Sequence, residues 1–417
     1  MGWYRELDAG QRKGFWACFS GWALDAMDVQ IYVLVLPTIM AAWGLTRGQA
    51  GFAATVALLF SSVGGALAGY LADRIGRVKV LQISILWFSA FTFLSGLAQN
   101  YEQLLVARSL QGLGFGGEWA AGAVLVAEIV APNYRGKAVA AVSSGWAIGY
   151  AAAALLFAVL FHVLPPSLAW RVMFFLGILP AVLVLYLRRA VADPEIYLAA
   201  KAWTVPGPPL SRLFSGQLGL RTLLAWVVCL GVLGGNYTVL SWLPTYLQTE
   251  RGLSYANTGL FLLVNIGGSF VGYLVGGYIS DALGRKNALR LFSVLGVASV
   301  FAYLELGTTS LAVLALGFPL GFAQSGLNAG LGPLLSELFP TQFRATGQGL
   351  CYNAGRGVGS FFPTLVGLAS AEAGLPAAIT IAAASAYALV LLCSFLLPET
   401  TSRPLESIGP DSGRPHR

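Results

Sequence analysis

Apolar runs about twenty residues long, separated by short polar punctuation, fill nearly the whole of this sequence. They fall at 15–38, 50–72, 80–99, 103–126, 138–161 and 170–189, and again at 222–247, 256–280, 288–308, 311–335, 346–370 and 375–397. A helix rises about 1.5 Å per residue, so about twenty residues cross a hydrocarbon layer about 30 Å thick. The pattern predicts an all-α membrane protein of twelve transmembrane helices. Between the sixth and seventh runs lies a polar segment with Asp193-Pro194-Glu195 and Pro206-Gly207-Pro208-Pro209. The chain thus divides into a six-helix bundle at 1–189, a cytoplasmic linker at 190–221, a second six-helix bundle at 222–397 and a cytoplasmic tail at 398–417.

Composition agrees with the pattern. Apolar residues make up 57% of the 417 and charged residues only 10%, where a soluble domain carries about 25% charge. A soluble enzyme, a nucleic-acid binder and a disordered scaffold are excluded. The net charge of +7 reflects topology instead. Only Arg47, Arg171 and Arg251 fall on one predicted side, and Arg108 and Arg356 lie within spans; every other Lys and Arg falls on the opposite side. Short basic loops stay in the cytoplasm, which puts both termini inside a plasma membrane of the bacterial inner-membrane kind. The basic loops also give the chain affinity for anionic lipid. No small-residue cleavage site precedes the first run, so it is expected to stay in the membrane. Cys18, Cys229, Cys351 and Cys393 sit in apolar runs without metal-ligand spacing, and His162 and His416 build no site with them. No metal or cofactor is expected.

Two loops repeat. Gly69-Tyr70-Leu71-Ala72-Asp73-Arg74-Ile75-Gly76-Arg77 returns 208 residues later as Gly277-Tyr278-Ile279-Ser280-Asp281-Ala282-Leu283-Gly284-Arg285. Glu128 and Arg135 return at an offset of 209 as Glu337 and Arg344. The chain reads as two parallel repeats, an arrangement tied to transporters with a central site. Asp73, Arg77, Glu128 and Arg135, with Asp281, Arg285, Glu337 and Arg344, form a candidate gating network on the inner surface, a latch that breaks when that side opens.

The duplicated loop and the Glu/Arg pair resemble the major facilitator superfamily. Arg108-Ser109-Leu110-Gln111-Gly112-Leu113-Gly114-Phe115-Gly116-Gly117-Glu118 is similar to the fourth helix of its proton-linked metabolite, sialic acid and aromatic acid symporters. Leu24-Asp25-Ala26-Met27-Asp28 resembles their first-helix acidic motif, with Ala26 and Met27 where Gly and Phe are usual. Tyr352-Asn353-Ala354-Gly355-Arg356 is similar to the eleventh helix of the organic-acid symporters. The resemblance implies two pseudo-symmetric six-helix bundles and alternating access. Drug–proton antiporters of the superfamily carry a Gly-Pro motif in the fifth helix, and 138–161 contains no proline.

Five charges lie away from the ends of the spans: Asp25, Asp28, Arg108, Glu118 and Arg356. Each costs at least about 2.5–3.5 kcal/mol at mid-bilayer and so needs a partner or a role. Asp28 lies about 15 Å below the outer face and Arg108 about 8 Å, near enough to meet. The resembling symporters pair a first-helix acid with a fourth-helix arginine, which implies Asp28 and Arg108 as the proton-coupling pair. A carboxylate alternating between a cation and a proton is a workable coupling device. Asp25 shares that duty or faces the inner vestibule. Glu118 takes a proton, a polar substrate group or a basic partner. Gly112, Gly114 and Gly117 spell a dinucleotide-loop pattern, but inside an apolar span they are read as close helix packing.

Arg356 stands about 15 Å from the inner face, near the midplane. Its planar fork suits a carboxylate. The counter-charge is either a substrate anion or Asp25, Asp28 or Glu118 from the other half. Asn353, one turn earlier, can add a hydrogen bond. Tyr32, Trp146, Asn236, Tyr237, Trp242, Gln324 and Tyr352 complete a candidate substrate-binding set compatible with a flat or ring-containing molecule; each is equally at home as packing. The expected function is proton-coupled uptake of a small organic anion, a carboxylate of aromatic or sialic type, by a carrier that works as a monomer with no enzymatic activity. A sugar or polyol symporter is the alternative, and a transporter-like sensor a third reading.

Overall fold

A computed structural model of the chain describes residues 4, 7–75, 77–129, 141–179, 181, 210–307, 309–340 and 343–400. Regular structure among them is helical, with no strand. In chain order the helices are α1 (Ala9–Trp43), α2 (Arg47–Ile75), α3 (Arg77–Leu97), α4 (Tyr101–Ile129), α5 (Gly145–Val163) and α6 (Pro166–Leu176). After a short turn at Leu210–Phe214 follow α7 (Gly216–Thr245), α8 (Tyr255–Leu283), α9 (Arg285–Phe301), α10 (Ser310–Ala329) and α11 (Leu331–Leu338). The last are α12 (Arg344–Gly359), α13 (Phe362–Ala373) and α14 (Leu375–Leu396).

The ends of these helices are written locally. Asp8 opens α1 with a reciprocal cap: its carboxylate accepts from the Gln11 amide at 2.7 Å while its own N–H donates to Gln11 Oε1. Gly44, at φ 63°, makes the left-handed turn that reverses the chain into α2. Ser254 and Thr309 cap α8 and α10. Among the described residues, nine helical stretches are long and apolar enough to cross a membrane. At the other three predicted spans, α4 is 29 residues long, α6 ends at the edge of the described residues, and 346–370 is interrupted at Ser360 and Phe361. Those two residues keep helical dihedrals.

Burial is inverted relative to a soluble protein. Leu67, Val159 and Leu392 are more than half exposed, whereas Asp28 and Arg356 are 1% and 2% exposed. An apolar outer surface with charges inside is what a lipid solvent selects.

Packing repeats along with the sequence. The most extensive helix pairs are α2 with α4 and α8 with α10. A Cβ on Gly64 would strike the Leu113 carbonyl, and one on Gly272 the Phe322 carbonyl. Likewise Gly112 sits against the Ala57 carbonyl, and Gly321 against the Asn265 carbonyl. Each pair is related to its counterpart by 208 residues on one side and 209 on the other, the offsets of the two loop motifs. Gly114 meets α3 in the same way, at Phe88 and Ser84. The glycine pattern of α4 is therefore a packing surface, as expected.

The two halves meet at the end of the bundle remote from Asp8 and Thr400. Gly51 abuts the Pro363 carbonyl and Gly367 the Arg47 carbonyl, which brings α2 onto α13. Thr55 donates to the Ser360 carbonyl at 2.5 Å and shares a 2.7 Å hydrogen bond with Thr364. Tyr255 of α8 lies edge-on to Phe157 of α5 and 4.6 Å from the Phe161 ring. Arg47 and Glu250 close this end with a 2.6 Å ion pair.

Candidate functional site

Asp28 of α1 is the end of a chain of buried polar groups. Its Oδ2 accepts from Thr92 Oγ1 of α3 and from Gln111 Nε2 of α4, both at 2.6 Å. Gln111 Nε2 also donates to Thr92 Oγ1 at 2.7 Å. On its other side Gln111 Oε1 accepts from Arg108 Nη1, one turn back on α4. The Arg108 guanidinium lies 4.4 Å from the Tyr32 ring centre, and the Tyr32 hydroxyl donates to the Ala50 carbonyl at 2.8 Å. Asp28 and Arg108 are thus brought together as expected, with Gln111 interposed between them. A neutral amide thus bridges the two charges, accepting from the guanidinium and donating to the carboxylate.

Arg356 of α12 is the centre of a second group, between the halves. Its guanidinium lies 4.9 Å from the Tyr352 ring and 5.4 Å from the ring of Phe115, which comes from α4 in the first half. Nη2 donates to the Tyr352 hydroxyl at 3.4 Å, and the Tyr237 hydroxyl lies within hydrogen-bonding reach. Tyr273 sits within electrostatic reach of Tyr237 and Tyr352. Behind Phe115 stand Trp146 at 6.4 Å and then Trp22 at 5.3 Å from Trp146. Among the described residues, the buried indole N–H of Trp22 has no hydrogen-bond partner. Asp25, fully buried one turn before Asp28, is within electrostatic reach of Arg356.

Other expected site residues are placed elsewhere. Asn236 Oδ1 accepts from the Tyr387 hydroxyl at 2.9 Å, and Gln324 Nε2 donates to the same hydroxyl at 3.2 Å, so these two belong to a chain of their own. Asn353 donates to the Gly349 carbonyl at 3.0 Å, and its Oδ1 faces Gly65 of α2. The structure does not bring Trp242 to Arg356. Its ring is fully buried against Gly367, eleven residues or about 16 Å along from Arg356, and its indole N–H donates to the Pro363 carbonyl at 3.0 Å.

On the termini side, Arg285 gathers the second-half network. It donates to Asp281 at 2.6 Å and to both oxygens of Glu337 at 2.8–3.2 Å. Glu399 accepts from the backbone N–H groups of Arg285 and Lys286 at the start of α9, and Thr400 donates to Glu337 at 2.7 Å. Residues 399 and 400, assigned by the sequence to the tail, are therefore tied into this network. The side chains of Asp73, Arg77, Glu118, Glu128, Arg135 and Arg344 lie outside the described residues.

Sequence reasoning missed Thr92, Gln111, Phe115, Trp22, Tyr273 and Glu399. Gln111 alone left a signal, standing three residues after Arg108 on one helix face. The others come from helices whose neighbours a single sequence does not reveal.

Comparison with known proteins identifies the family. The family model of the Major Facilitator Superfamily matches residues 18–350 and 264–414. A probable 4-methylmuconolactone transporter of Cupriavidus pinatubonensis is 41% identical over 98% of this chain and 95% of its own. The sialic acid transporter NanX of Escherichia coli is 30% identical over 95% of this chain and 96% of its own. A solved structure of a bacterial homolog to the human lysosomal transporter Spinster, inward-facing and unoccupied, matches with a TM-score of 0.73. It covers 93% of this chain and 98% of its own at 15% identity, a likeness of fold. The helical membrane fold, its glycine-packed repeat and these matches agree: this chain is a multi-pass membrane protein that belongs to the Major Facilitator Superfamily of transporters.

Proposed function

We propose that this transporter takes up a small organic anion together with protons, by alternating access between the two halves. Arg356 carries the reading: a guanidinium 2% exposed, contacted by rings from both halves and by phenol hydroxyls. Such a group suits a carboxylate on a flat or cyclic body, stacked between Phe115 and Tyr352. The relatives that carry sialic acid and 4-methylmuconolactone are consistent with a substrate of this class. Asp28 is the proton-carrying acid, tied through Gln111 to Arg108. The contacts between halves at the Arg47 end describe a carrier closed on that side, which the basic-loop asymmetry makes the outside. Both termini then face the cytoplasm of a bacterial inner membrane, and one chain contains the whole path.

The test is binding of carboxylates and their matched amides to purified protein, read by thermal shift. Arg356→Ala removes a charge-assisted bond worth about 1.5–3 kcal/mol, so affinity for the acid falls about 10–150-fold and the preference over the amide disappears. Arg356→Lys recovers only part, because a point charge does not reproduce the two-pronged geometry. Asp25 offers the competing reading, an ion pair within the protein. Equal losses for acid and amide would establish that pair and remove the anion from Arg356.

A further inference from the structure

We propose that Thr92 is the residue that lets Asp28 exchange a proton without moving, by turning its single hydroxyl hydrogen between two acceptors. The inference rests on the reading of Asp28 as the proton-carrying acid and deepens it.

The hydrogen-bond directions follow from chemistry alone. A guanidinium only donates, so the Gln111 atom that faces Arg108 is the oxygen. Its nitrogen therefore faces Asp28 Oδ2 and Thr92 Oγ1, and both N–H groups are spent on them. Thr92 Oγ1 accepts from Gln111 and has one hydrogen to give. Two acceptors lie within reach: Asp28 Oδ2 at 2.6 Å and the Phe88 carbonyl, one turn back on α3, at 2.9 Å.

This pair of exits matches the two forms of the acid. When Asp28 is ionised, Thr92 donates to Oδ2, which then accepts two hydrogen bonds. When a proton from water binds at Oδ2, the new hydroxyl needs an acceptor. Thr92 turns its hydrogen to the Phe88 carbonyl and accepts the Asp28 proton on its second lone pair. Release reverses the turn and returns the proton to water. Neither form leaves a hydroxyl or an amide hydrogen of this cluster stranded in a site where that would cost about 1–3 kcal/mol. Among the described residues, Arg108 of α4 is the charged group within electrostatic reach of Asp28, and Tyr32 of α1 stacks on that guanidinium. Asp25 lies one turn away on α1, while Thr92 of α3 and Gly177, just after α6, do not titrate. Gly177 packs closely against Thr92 and Asp28, since a Cβ there would strike Thr92 Cγ2 and lie 2.8 Å from Asp28 Oδ1.

Infrared titration of the full chain in lipid vesicles tests the proposal without a substrate. The probe is the carbonyl-stretch band of a protonated carboxyl, assigned to Asp28 by its disappearance in Asp28→Asn. Thr92→Val keeps the shape and deletes the hydroxyl. The ionised acid then loses a charge-assisted bond and the protonated acid a neutral one, so the midpoint of the band rises by about one pH unit, a tenfold change. Thr92→Ser restores the wild-type midpoint. Thr92→Cys, with a weakly bonding thiol of similar size, moves it the same way by less and serves where the valine variant does not fold. An unchanged midpoint in both Thr92→Val and Thr92→Cys, or a serine variant displaced as far as valine, overturns the role of Thr92 while leaving Asp28 as the acid. A band that survives in Asp28→Asn, with no other titrating band lost, overturns the reading of Asp28 itself.

Discussion

Asp28 and Asn236 stand 208 residues apart, the offset that relates the two halves at their loops. Each receives a hydroxyl from a helix near the edge of its half, Thr92 in the first and Tyr387 in the second. Each hydroxyl is in turn bonded by a glutamine amide, Gln111 or Gln324. Only the acid and the amide correspond by that offset: Thr92 and Tyr387 stand 295 residues apart and Gln111 and Gln324 213 apart, so similar chains are assembled from unrelated positions. The first ends in a carboxylate bridged to Arg108, and the second in an amide bonded to neutral groups. Repetition thus supplies the matched Asp/Asn position but not the partners around it, and on the proposed reading Asn in place of Asp leaves the second site without a carboxyl to titrate. The second half has its own charge, Arg356, set among rings and phenols instead of beside an acid of the same half. On the proposed reading, one half handles protons and the other holds an anion.

The largest expected effect comes from erasing the difference. Asp28→Asn gives the first half the chemistry of the second. It should abolish accumulation driven by a pH gradient, since no proton is exchanged at that position. Exchange of labelled for unlabelled substrate should persist, because it never returns the empty carrier. Uptake into vesicles with and without an imposed gradient separates the two. Accumulation at wild-type levels would transfer the coupling role to Asp25 or Glu118.

The converse substitution should have a smaller effect. Asn236→Asp puts a carboxyl beside Tyr387 with no arginine-bridged amide to offset its charge. The group is expected to stay protonated there, and the variant to lose about 1–3 kcal/mol as one amide donor is lost and a carboxyl hydroxyl must find an acceptor. Its Tm should fall while gradient-driven uptake continues through Asp28. A second proton carried per cycle would show that the scaffold alone, and not its Arg108 bridge, creates the coupling site.

Much of the fold and part of the site were legible in the sequence, for reasons that differ. Span length and the offset repeat are one-dimensional properties. They are set by the thickness of the bilayer and by duplication, so the chain displays them directly. The glycines of α4 likewise announce close packing, and the structure shows the carbonyls they meet. Asp28, Arg108 and Arg356 stood out because an intramembrane charge is costly. Thr92, Phe115 and Trp22 carry no such mark, being common residues in apolar helices. Their significance comes from which helix faces which, and that depends on interhelical packing. Glu399 was obscured for another reason: it follows the last span, where polar residues ordinarily signify nothing beyond a tail, yet its carboxylate caps α9.

The smallest expected effect lies at the neutral end of the comparison. Gln324 was counted among the candidate ligand contacts, but its amide donates to Tyr387 at 3.2 Å in a buried chain without a formal charge. A neutral hydrogen bond of this kind contributes about 0.5–1.5 kcal/mol, and Gln324→Leu replaces the amide by an apolar group of similar volume. Tyr387 keeps its bond to Asn236, so no buried donor is left stranded. The variant should show a slight fall in Tm, with gradient-driven uptake and preference for the acid over its amide both retained. The matching change in the first half, Gln111→Leu, separates a buried guanidinium from its acceptor and a carboxylate from its donor, and coupling should suffer far more. Equal damage from the two leucine substitutions would mean that the second chain also takes part in the transport cycle, and that the division between a proton-handling half and an anion-holding half is wrong.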